Sequence, residues 1–386
     1  MTCAAVLAPM HSHGLVPGTV DHHQLHQLHQ LHHLDVAATK SSSTSPKSQS
    51  RTNSLRRQRS TDEIEASSFR VISELGRGLQ GRVDLAFDVL ENRLVAIKRP
   101  VFSSSTSNAD IVAAAERARS YLVDCQIREI IRERNALRLV SHDNVLRYVR
   151  STAGYEHDKT YLVLATEYAS NGDLFDVISK TGALPERVAK VYFRQLMRAV
   201  QACHRSGVIH RDIKPENILF DDQFTLKLCD FGLASVVSPA TGRVEDAWLS
   251  DVEGTTLYMA PEIESGEPFR GTPVDVWACG VVLFILLTGY PPFDEPTPDD
   301  FWFDCLVNED MTQFWESQPD AVTRPSSAAV DLINRLLCVD PDRRITVSEV
   351  LAHPWLADTD DVDREAVIAE MSERRKQSSL RLSDVE

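Results

Sequence analysis

The chain has 386 residues, of which 42% are hydrophobic and 25% are charged, and its formal net charge is −15. This length is too great for one compact core and fits two lobes with additional tails. The acidic balance argues against general nucleic-acid binding and favours cationic partners such as basic peptides.

Residues 1–66 are predicted to form a disordered tail. Eight of the thirteen histidines fall in the first 33 residues, and a Ser/Thr/Lys tract follows at residues 39–50. Such a composition offers too little apolar surface to offset the entropy cost of ordering the chain. Metal binding or pH sensing by the histidines is the alternative, but they repeat without a fixed ligand geometry.

The chain lacks the sequence features of export or of membrane insertion. Residues 1–10 contain no Lys or Arg, which is unlike a secretory signal peptide, and Thr2 is not the glycine that N-myristoylation requires. The longest apolar run, residues 274–287, contains Asp275 and is too short for a bilayer, so it predicts a buried core helix. The seven cysteines form no C-x-x-C pair, so zinc and disulfides are unexpected. We expect an intracellular protein, cytoplasmic or nuclear, with no membrane partner.

The globular part begins near Phe69 and is rich in strands at first. Residues with β propensity, separated by turn signals, predict a series of short strands and one long helix. The strands are expected over residues 69–75, 83–88, 93–98 and 161–167, and the helix over residues 111–139.

From Pro185 onward the pattern becomes helical, because apolar residues recur every three or four positions. Strands first and helices later predict an α+β fold with two lobes. The small sheet-rich lobe would span residues 67–167 and the large helical lobe residues 170–356. The charged residues 357–386 are expected to form a solvated polar tail.

The chemistry is concentrated in one octapeptide, His210-Arg211-Asp212-Ile213-Lys214-Pro215-Glu216-Asn217. It brings together a carboxylate, an amine and an amide within six residues. Phosphoryl transfer needs these groups around one hydroxyl, because the carboxylate takes the acceptor's proton, the amine offsets phosphate charge and the amide oxygen holds a metal ion. Thirteen residues further on, Asp230-Phe231-Gly232 offers a second metal-binding carboxylate.

With two upstream segments, these motifs resemble the signature set of a eukaryotic Ser/Thr protein kinase. The upstream segments are a glycine-rich loop at residues 76–83 and Val-Ala-Ile-Lys at residues 95–98. A dinucleotide-binding turn is the alternative for the loop alone, but it needs a following helix, whereas residues 82–87 alternate like a strand. The resemblance covers residues 69–356 and implies a bilobal kinase fold that uses ATP with Mg²⁺ or Mn²⁺. Residues 168–174, 288–293 and 353–355 resemble the corresponding segments of the calmodulin-dependent and AMP-activated kinase group.

The resemblance assigns the catalytic groups. Asp212 would be the base, Lys214 would offset phosphate charge, and Asn217 and Asp230 would hold the metal ions through hard oxygen ligands. Asp275 would accept hydrogen bonds from the backbone of the octapeptide. Lys98 would be a buried lysine that needs a carboxylate partner. We choose Glu133 for that role by its spacing, and Glu129, one turn earlier, is the alternative.

The resemblance also implies the nucleotide site. The carbonyl of Glu167 and the N–H of Ala169 would bind adenine, beside Thr166 as gatekeeper. Asp173 would bind ribose or a substrate arginine, and its alternative role is to begin a helix. Gln80 departs from the kinase pattern, in which an aromatic residue is frequent at the loop tip. The whole site is expected to comprise Leu75, Gly76, Arg77, Gly78, Leu79, Gln80, Gly81, Val83, Ala96, Lys98, Thr166, Glu167, Ala169, Asp173 and Leu219.

Regulation is expected to depend on Arg211. Residues 254–262 resemble the end of a kinase activation segment, in which Glu262 would be buried against Arg344. Kinases with an arginine before the base often need a phosphate in this segment to neutralise it. We hypothesise that Asp251 supplies this negative charge permanently, and phosphorylation of Ser250 is the alternative. Thr255 is expected to bond both Asp212 and Lys214.

The expected substrates are basic proteins or peptides. Glu216 and Asp173 would face arginines on the N-terminal side of the acceptor, which favours an R-x-x-S preference. A catalytically inactive pseudokinase and a small-molecule kinase of related fold are the rival functions. The sequence sets no oligomeric state. The chain carries R-x-x-S sites of its own at Arg51/Ser54, Arg57/Ser60 and Arg375/Ser378.

Overall fold

The computed structural model describes residues 68–102, 109–156, 159–237, 242–319 and 324–383. The predicted tail over residues 1–66, with its histidines and two of the three R-x-x-S sites, lies outside the described residues.

A five-stranded antiparallel sheet forms the N-terminal lobe, with the strand order β1-β2-β3-β5-β4. Its strands are β1 (Phe69–Gly78), β2 (Gly81–Asp88), β3 (Arg93–Arg99), β4 (Tyr148–Glu156) and β5 (Lys159–Glu167). The sequence indicates all of these strands except β4, whose small and polar residues show no clean alternation.

Helix α1 (Ala109–Leu137) packs against β3, β4 and β5. The side chains of β3 alternate between its two faces, as in any strand. Val95 and Ile97 are buried in the small core of the lobe, whereas Ala96 and Lys98 lie on the opposite face. This alternation aims Ala96 and Lys98 at the cleft between the lobes.

The C-terminal lobe is helical, as predicted, which confirms the α+β class with two lobes. Its first helices are α2 (Leu174–Thr181), α3 (Glu186–Arg205), α4 (Pro261–Glu264) and α5 (Gly271–Thr288). They are followed by α6 (Phe301–Val307), α7 (Met311–Glu316), α8 (Ser327–Leu336), α9 (Val347–Leu351) and α10 (Arg364–Ser383).

Three short strand pairs shape the loops between these helices. They join β6 (Val208–Ile209) with β9 (Ser235–Val236), β7 (Ile218–Phe220) with β8 (Leu226–Leu228), and β10 (Trp248–Leu249) with β11 (Phe269–Arg270). The first two pairs hold the octapeptide and Asp230-Phe231-Gly232 beside each other.

Helix α5 is the centre of the C-terminal lobe. By length and composition it could cross a membrane, but nearly all of its residues are buried inside the lobe, as the sequence predicts for a core helix. It ends at Gly289, whose φ of 81° is left-handed. A Cβ at Gly289 would lie 3.0 Å from the backbone nitrogen of Ala183. Glycine fits this turn because it adopts a positive φ without strain and has no Cβ to crowd Ala183.

The C-terminal segment departs from the expected solvated tail. Residues 364–383 form helix α10, which packs against α2. Val367 and Met371 are buried in the core of the lobe. Two apolar side chains one turn apart are enough to anchor one face of a helix, although the charges around them make the segment look fully solvated.

Candidate active site

Asp275 of helix α5 holds the octapeptide in place. Its carboxylate accepts the backbone N–H groups of His210 at 3.0 Å and Arg211 at 2.8 Å, and it lies 2.8 Å from His204 Nε2. Burial opposes ionisation of Asp275, but these bonds outweigh it and keep the pKa of the carboxyl below its ordinary value. The prediction that Asp275 accepts from this backbone is confirmed. Arg211 has a φ of 70°, an unfavourable conformation that these bonds help to maintain.

Asp212, Lys214, Asn217 and Thr255 form one hydrogen-bonded cluster. Lys214 Nζ lies 2.8 Å from Asp212 Oδ2 and donates to Thr255 Oγ1 at 2.6 Å. The Thr255 hydroxyl donates to Asp212 Oδ1 at 2.8 Å. The Asn217 amide nitrogen donates to Asp212 Oδ2 at 3.0 Å and to the Asp212 carbonyl at 2.7 Å. The base candidate is therefore held from three directions.

Lys98 lies between two carboxylates. Its Nζ is 2.8 Å from Glu133 Oε2 on helix α1 and 2.8 Å from Asp230 Oδ1. Burial alone would lower the pKa of Lys98, but the two negative charges outweigh it and raise the pKa well above its ordinary value. The same lysine keeps the pKa of Asp230 below its ordinary value against the cost of burial. Asp230 therefore stays ionised, as a metal ligand must be.

Glu129, the alternative partner of Lys98, occupies a different position. Its Cβ is 3.5 Å from where a Cβ on Gly232 would lie, so it packs beside the Asp230-Phe231-Gly232 turn. Among the described residues, no group hydrogen-bonds its buried Oε2. Burial raises the pKa of Glu129. The geometry places Glu133, and not Glu129, in contact with Lys98.

The glycine-rich loop is the hairpin between β1 and β2, closed by the pair Gly78 and Gly81. Gly81 has a φ of 124°, and a Cβ there would lie 2.7 Å from the Arg99 carbonyl oxygen, so only glycine fits. At the tip, Leu79 is exposed, and the Gln80 side-chain amide, with its nitrogen as donor, contacts the Asp230 carboxylate. The sequence did not predict this contact between the tip and the metal-ligand candidate.

The predicted adenine site lies where β3 meets β5. Ala96 pairs directly with Thr166, and Val83 pairs with Lys98 on the neighbouring strand. On the other side, Leu219 of β7 pairs with Asp173 at the start of α2. These pairings bring residues far apart in the sequence to one cleft. The Glu167 side chain points elsewhere, because it accepts the Arg147 N–H at 2.9 Å, so any adenine contact from Glu167 is left to its backbone.

Asp173 begins helix α2 and is also electrostatically perturbed. Its carboxylate accepts the backbone N–H of Asp176 at 2.7 Å, which is the helix-capping role. Burial raises its pKa to about 6, and the negative charges of Asp176 and Glu216 add to the rise. Asp173 and Glu216 therefore form an acidic region beside the cleft, where a cationic side chain would be stabilised.

The carboxylate that forms an ion pair with the Arg211 guanidinium belongs to Glu253. Arg211 Nη2 lies 3.7 Å from Glu253 Oε2, and it donates to the backbone carbonyl of Asp251 at 2.8 Å. Arg132 of helix α1 donates to the same Glu253 oxygen at 2.8 Å and to the Gly232 carbonyl at 3.3 Å. Glu253, two residues beyond Asp251, is therefore the carboxylate in contact with the Arg211 guanidinium, and the charge of Asp251 also favours the charged form of Arg211. The hypothesis that Asp251 replaces a phosphate stays a prediction.

Glu253 connects three parts of the site. Its carboxylate, on the activation segment, forms salt bridges with Arg211 of the octapeptide and with Arg132. Arg132 directly precedes Glu133 on helix α1. The placement of Glu133 against Lys98 is thereby linked to the activation segment. The sequence reasoning missed Arg132 and Glu253, although an arginine next to Glu133 was a signal that could have been read.

A second arginine–carboxylate pair supports the end of the activation segment. Both terminal nitrogens of Arg344 donate to the Glu262 carboxylate, at 2.7 and 2.8 Å, and the guanidinium also donates to the carbonyls of Pro273, Cys338 and Val339. The predicted pairing of Glu262 with Arg344 is confirmed. Its side chains are 11% and 0% exposed, so the pair is part of the core.

Residues 69–356 match the family model described as protein kinase domain. The chain is 38% identical over 284 residues to the serine/threonine-protein kinase GIN4 of Saccharomyces cerevisiae, covering 73% of this chain and 23% of that protein. It is 35% identical over 288 residues to CBL-interacting protein kinase 11 of rice, with 74% and 51% covered. It is also 35% identical over 284 residues to NUAK family SNF1-like kinase 1 of the mouse, with 73% and 37% covered.

The chain belongs to the protein kinase family, and its relatives are of the serine/threonine class. These matches confirm the family resemblance that the motifs indicate. The chain spans between 23% and 51% of the length of these three relatives.

Proposed function

We propose that this chain is an active protein kinase that transfers the γ-phosphoryl group of ATP to serine and threonine hydroxyls of basic substrates. The observation that carries the proposal is the cluster around Asp212. A carboxylate held by an amine, an amide and a hydroxyl is fixed in position and remains able to accept a proton.

The residues of the cluster have separable roles. Asp212 orients the acceptor hydroxyl and takes its proton late in the transfer, so its position counts for more than its basicity. Lys214, whose ammonium lies beside Asp212, stabilises negative charge that develops on the transferred group. Lys98 is charged and held between Glu133 and Asp230, so it presents a fixed cation to the nucleotide phosphates.

The donor set fits the Mg²⁺ that protein kinases generally use. Asp230 offers carboxylate oxygens kept ionised by Lys98, and Asn217, whose amide nitrogen donates to Asp212, offers its amide oxygen. The bound ion would neutralise phosphate charge. Mn²⁺ accepts the same oxygen ligands.

The preference for basic substrates is supported by charge. Asp173 and Glu216 lie close enough for one to raise the pKa of the other, and the chain as a whole carries a net charge of −15. Such a region attracts an arginine three residues before the acceptor and repels an acidic residue there. An intracellular location is part of the proposal, supported by six free cysteines among the described residues.

The test compares phosphate transfer to two peptides that differ only in having Arg or Ala three residues before the serine. The proposal expects transfer to both, with a lower KM for the arginine peptide, and loss of transfer in Asp212→Asn. Binding of ATP without any transfer would instead indicate a pseudokinase. Equal KM values for the two peptides would overturn the substrate preference alone.

A further inference from the structure

Helix α10 is held against α2 by an arginine at the end of that helix. Arg374 Nη1 donates to Thr181 Oγ1 at 2.8 Å, to the Thr181 carbonyl at 3.3 Å and to the Gly182 carbonyl at 3.1 Å. The last carbonyls of a helix lack partners within the helix and carry partial negative charge, so a guanidinium is a favourable cap there.

The next residue, Arg375, reaches the other end of α2. Its Nη1 lies 3.9 Å from Asp176 Oδ2 in the first turn, and its guanidinium is 3.1 Å from where a Cβ on Gly172 would lie. Two consecutive arginines therefore bracket α2, one at each end. Their contacts add to the apolar anchors, Val367 and Met371, on the same side of α10.

Ser378 lies at the buried face of this docked helix. Its side chain is 0% exposed, and its hydroxyl donates to the Arg375 carbonyl at 2.9 Å. Ser378 follows Arg374 by four residues and Arg375 by three, so all three side chains share one face of the helix. Arg375-Lys376-Gln377-Ser378 is also an R-x-x-S sequence. In the docked helix both the acceptor hydroxyl and the arginine of this motif are engaged.

We propose that Ser378 is a phosphorylation site and that its phosphorylation and the docking of α10 on α2 exclude each other. In the reaction the Ser378 oxygen forms a bond to the γ-phosphorus of ATP, the bond to the bridging oxygen of ADP breaks, and the hydroxyl proton passes to the kinase's catalytic base. The modifying enzyme is a kinase that recognises R-x-x-S. Self-phosphorylation would rest on the proposed function, but the site itself does not.

Two effects make the phosphorylated helix unable to dock. The fully buried position has no room for a phosphate, whose charge of about −1.5 to −2 would be costly to bury. A phosphate at this position also lies within reach of Arg374 and Arg375, which bind phosphate oxygens more strongly than they bind carbonyls. Both arginines would then leave the ends of α2.

The first test uses the full chain with Asp212→Asn, to remove its own activity, as the substrate of an unrelated kinase that recognises R-x-x-S. The rate of phosphate incorporation at Ser378 is compared with and without Met371→Asp, which undocks α10. We expect at least about a tenfold faster rate in the undocked variant, because modification of a buried group follows the population of the open state. Ser60, preceded by Arg57 at the same spacing, is the internal control and should be labelled equally in both proteins.

Two results of this test would overturn the proposal. One is that Ser378 of Met371→Asp carries no phosphate although Ser60 is labelled, because the kinase would then not accept Ser378 as a substrate. The other is an equal rate at Ser378 with and without Met371→Asp, since docking would then not protect the hydroxyl.

The second test is hydrogen exchange over residues 364–376 and 174–181, measured before and after phosphorylation. We expect both segments to lose protection when Ser378 carries phosphate, and Ser378→Ala to keep protection in the same kinase reaction. Retained protection with full phosphate occupancy would contradict the proposed exclusion. In a further outcome, an external kinase labels Ser378 of Met371→Asp while the chain's own activity, with Asp212 intact, labels neither Ser378 of that variant nor an R-x-x-S peptide. That result would contradict the proposed function, whereas the Ser378 site would remain supported.

Discussion

Two arginine–carboxylate clusters support the activation segment, and they differ mainly in their exposure to solvent. Arg344 and Glu262 are 0% and 11% exposed, and several backbone carbonyls complete the bonding of the guanidinium. Glu253 and Arg132 are 34% and 36% exposed, and their bond links helix α1 to the activation segment. The buried Arg344–Glu262 pair therefore stabilises the fold, whereas the exposed Arg132–Glu253 pair sets the geometry of the active site.

The largest effect is expected from breaking the buried cluster. Arg344→Ala would leave Glu262 and three carbonyls without their donor, and it should lower the free energy of unfolding by about 3–5 kcal/mol. Urea unfolding followed by circular dichroism measures this change. The matched control is Arg343→Ala, because the adjacent Arg343 bonds the exposed Glu309 and should leave stability nearly unchanged. An equal decrease in the free energy of unfolding in Arg344→Ala and Arg343→Ala would show that the buried pair stabilises the fold no more than an exposed pair does.

Breaking the exposed cluster should change catalysis and not stability. Glu253→Gln removes the charge between Arg132 and Arg211, and we expect kcat to fall about tenfold, equivalent to about 1.4 kcal/mol, with an unchanged melting temperature. Asp251→Asn is the control, since its backbone carbonyl still accepts from Arg211 and only the smaller effect of the Asp251 charge is lost. The assignment would be wrong if Asp251→Asn were inactive and Glu253→Gln retained full activity.

A smaller effect concerns the acidic region beside the cleft. The pKa of Asp173 is raised to about 6, so its carboxyl is charged above that pH and neutral below it. We expect the KM for an arginine peptide to rise several-fold as the pH falls through about 6. Asp173→Asn keeps the helix-capping acceptor and should remove this dependence, and a peptide without the arginine should not show it. An identical pH profile for both peptides would exclude Asp173 from arginine recognition.

The same carboxyl has a consequence for stability. Its folded-state pKa lies above the ordinary value of 3.8, so the folded protein binds more protons than the unfolded chain between these two values. The contribution of Asp173 to stability therefore falls as the pH rises through this window.

The smallest effect is expected at the tip of the glycine-rich loop. The Gln80 amide contacts the Asp230 carboxylate, which the metal ion would also need. Gln80→Ala should lower the KM for Mg-ATP by about threefold, as removal of one competing hydrogen bond would. Leu79→Ala at the neighbouring exposed position is the control. A higher KM in Gln80→Ala would mean that the glutamine assists nucleotide binding.

The motifs predict much of the core of this site because their order along the chain is restrictive. Asp212, Lys214 and Asn217 come from one short loop, and Asp275 comes from an apolar helix in which a lone carboxylate must find donors. The spacing that favoured Glu133 over Glu129 selects the residue that contacts Lys98. These residues belong to motifs with a fixed order and spacing, so their roles could be assigned from the sequence even where the contacts join distant segments.

The features that the sequence did not reveal depend on contacts between distant segments. Asp251 and Glu253 lie two residues apart in one loop, and the path of the loop decides which carboxylate faces Arg211. Local propensity does not specify that path. The docking of α10 depends on a surface of α2 that is distant in the sequence. Two buried apolar residues among many charges gave no periodic signal of it.

Because Glu253 already supplies a negative charge to Arg211 and Arg132, we propose that this active site works without a phosphate on its activation segment. The most direct measurement is the rate of phosphate transfer to an R-x-x-S peptide by protein produced together with a phosphatase and verified by mass spectrometry to be unphosphorylated. We predict full turnover, lost in Asp212→Asn and reduced in Glu253→Gln. An inactive protein that gains activity only when Ser250 is phosphorylated would contradict the claim.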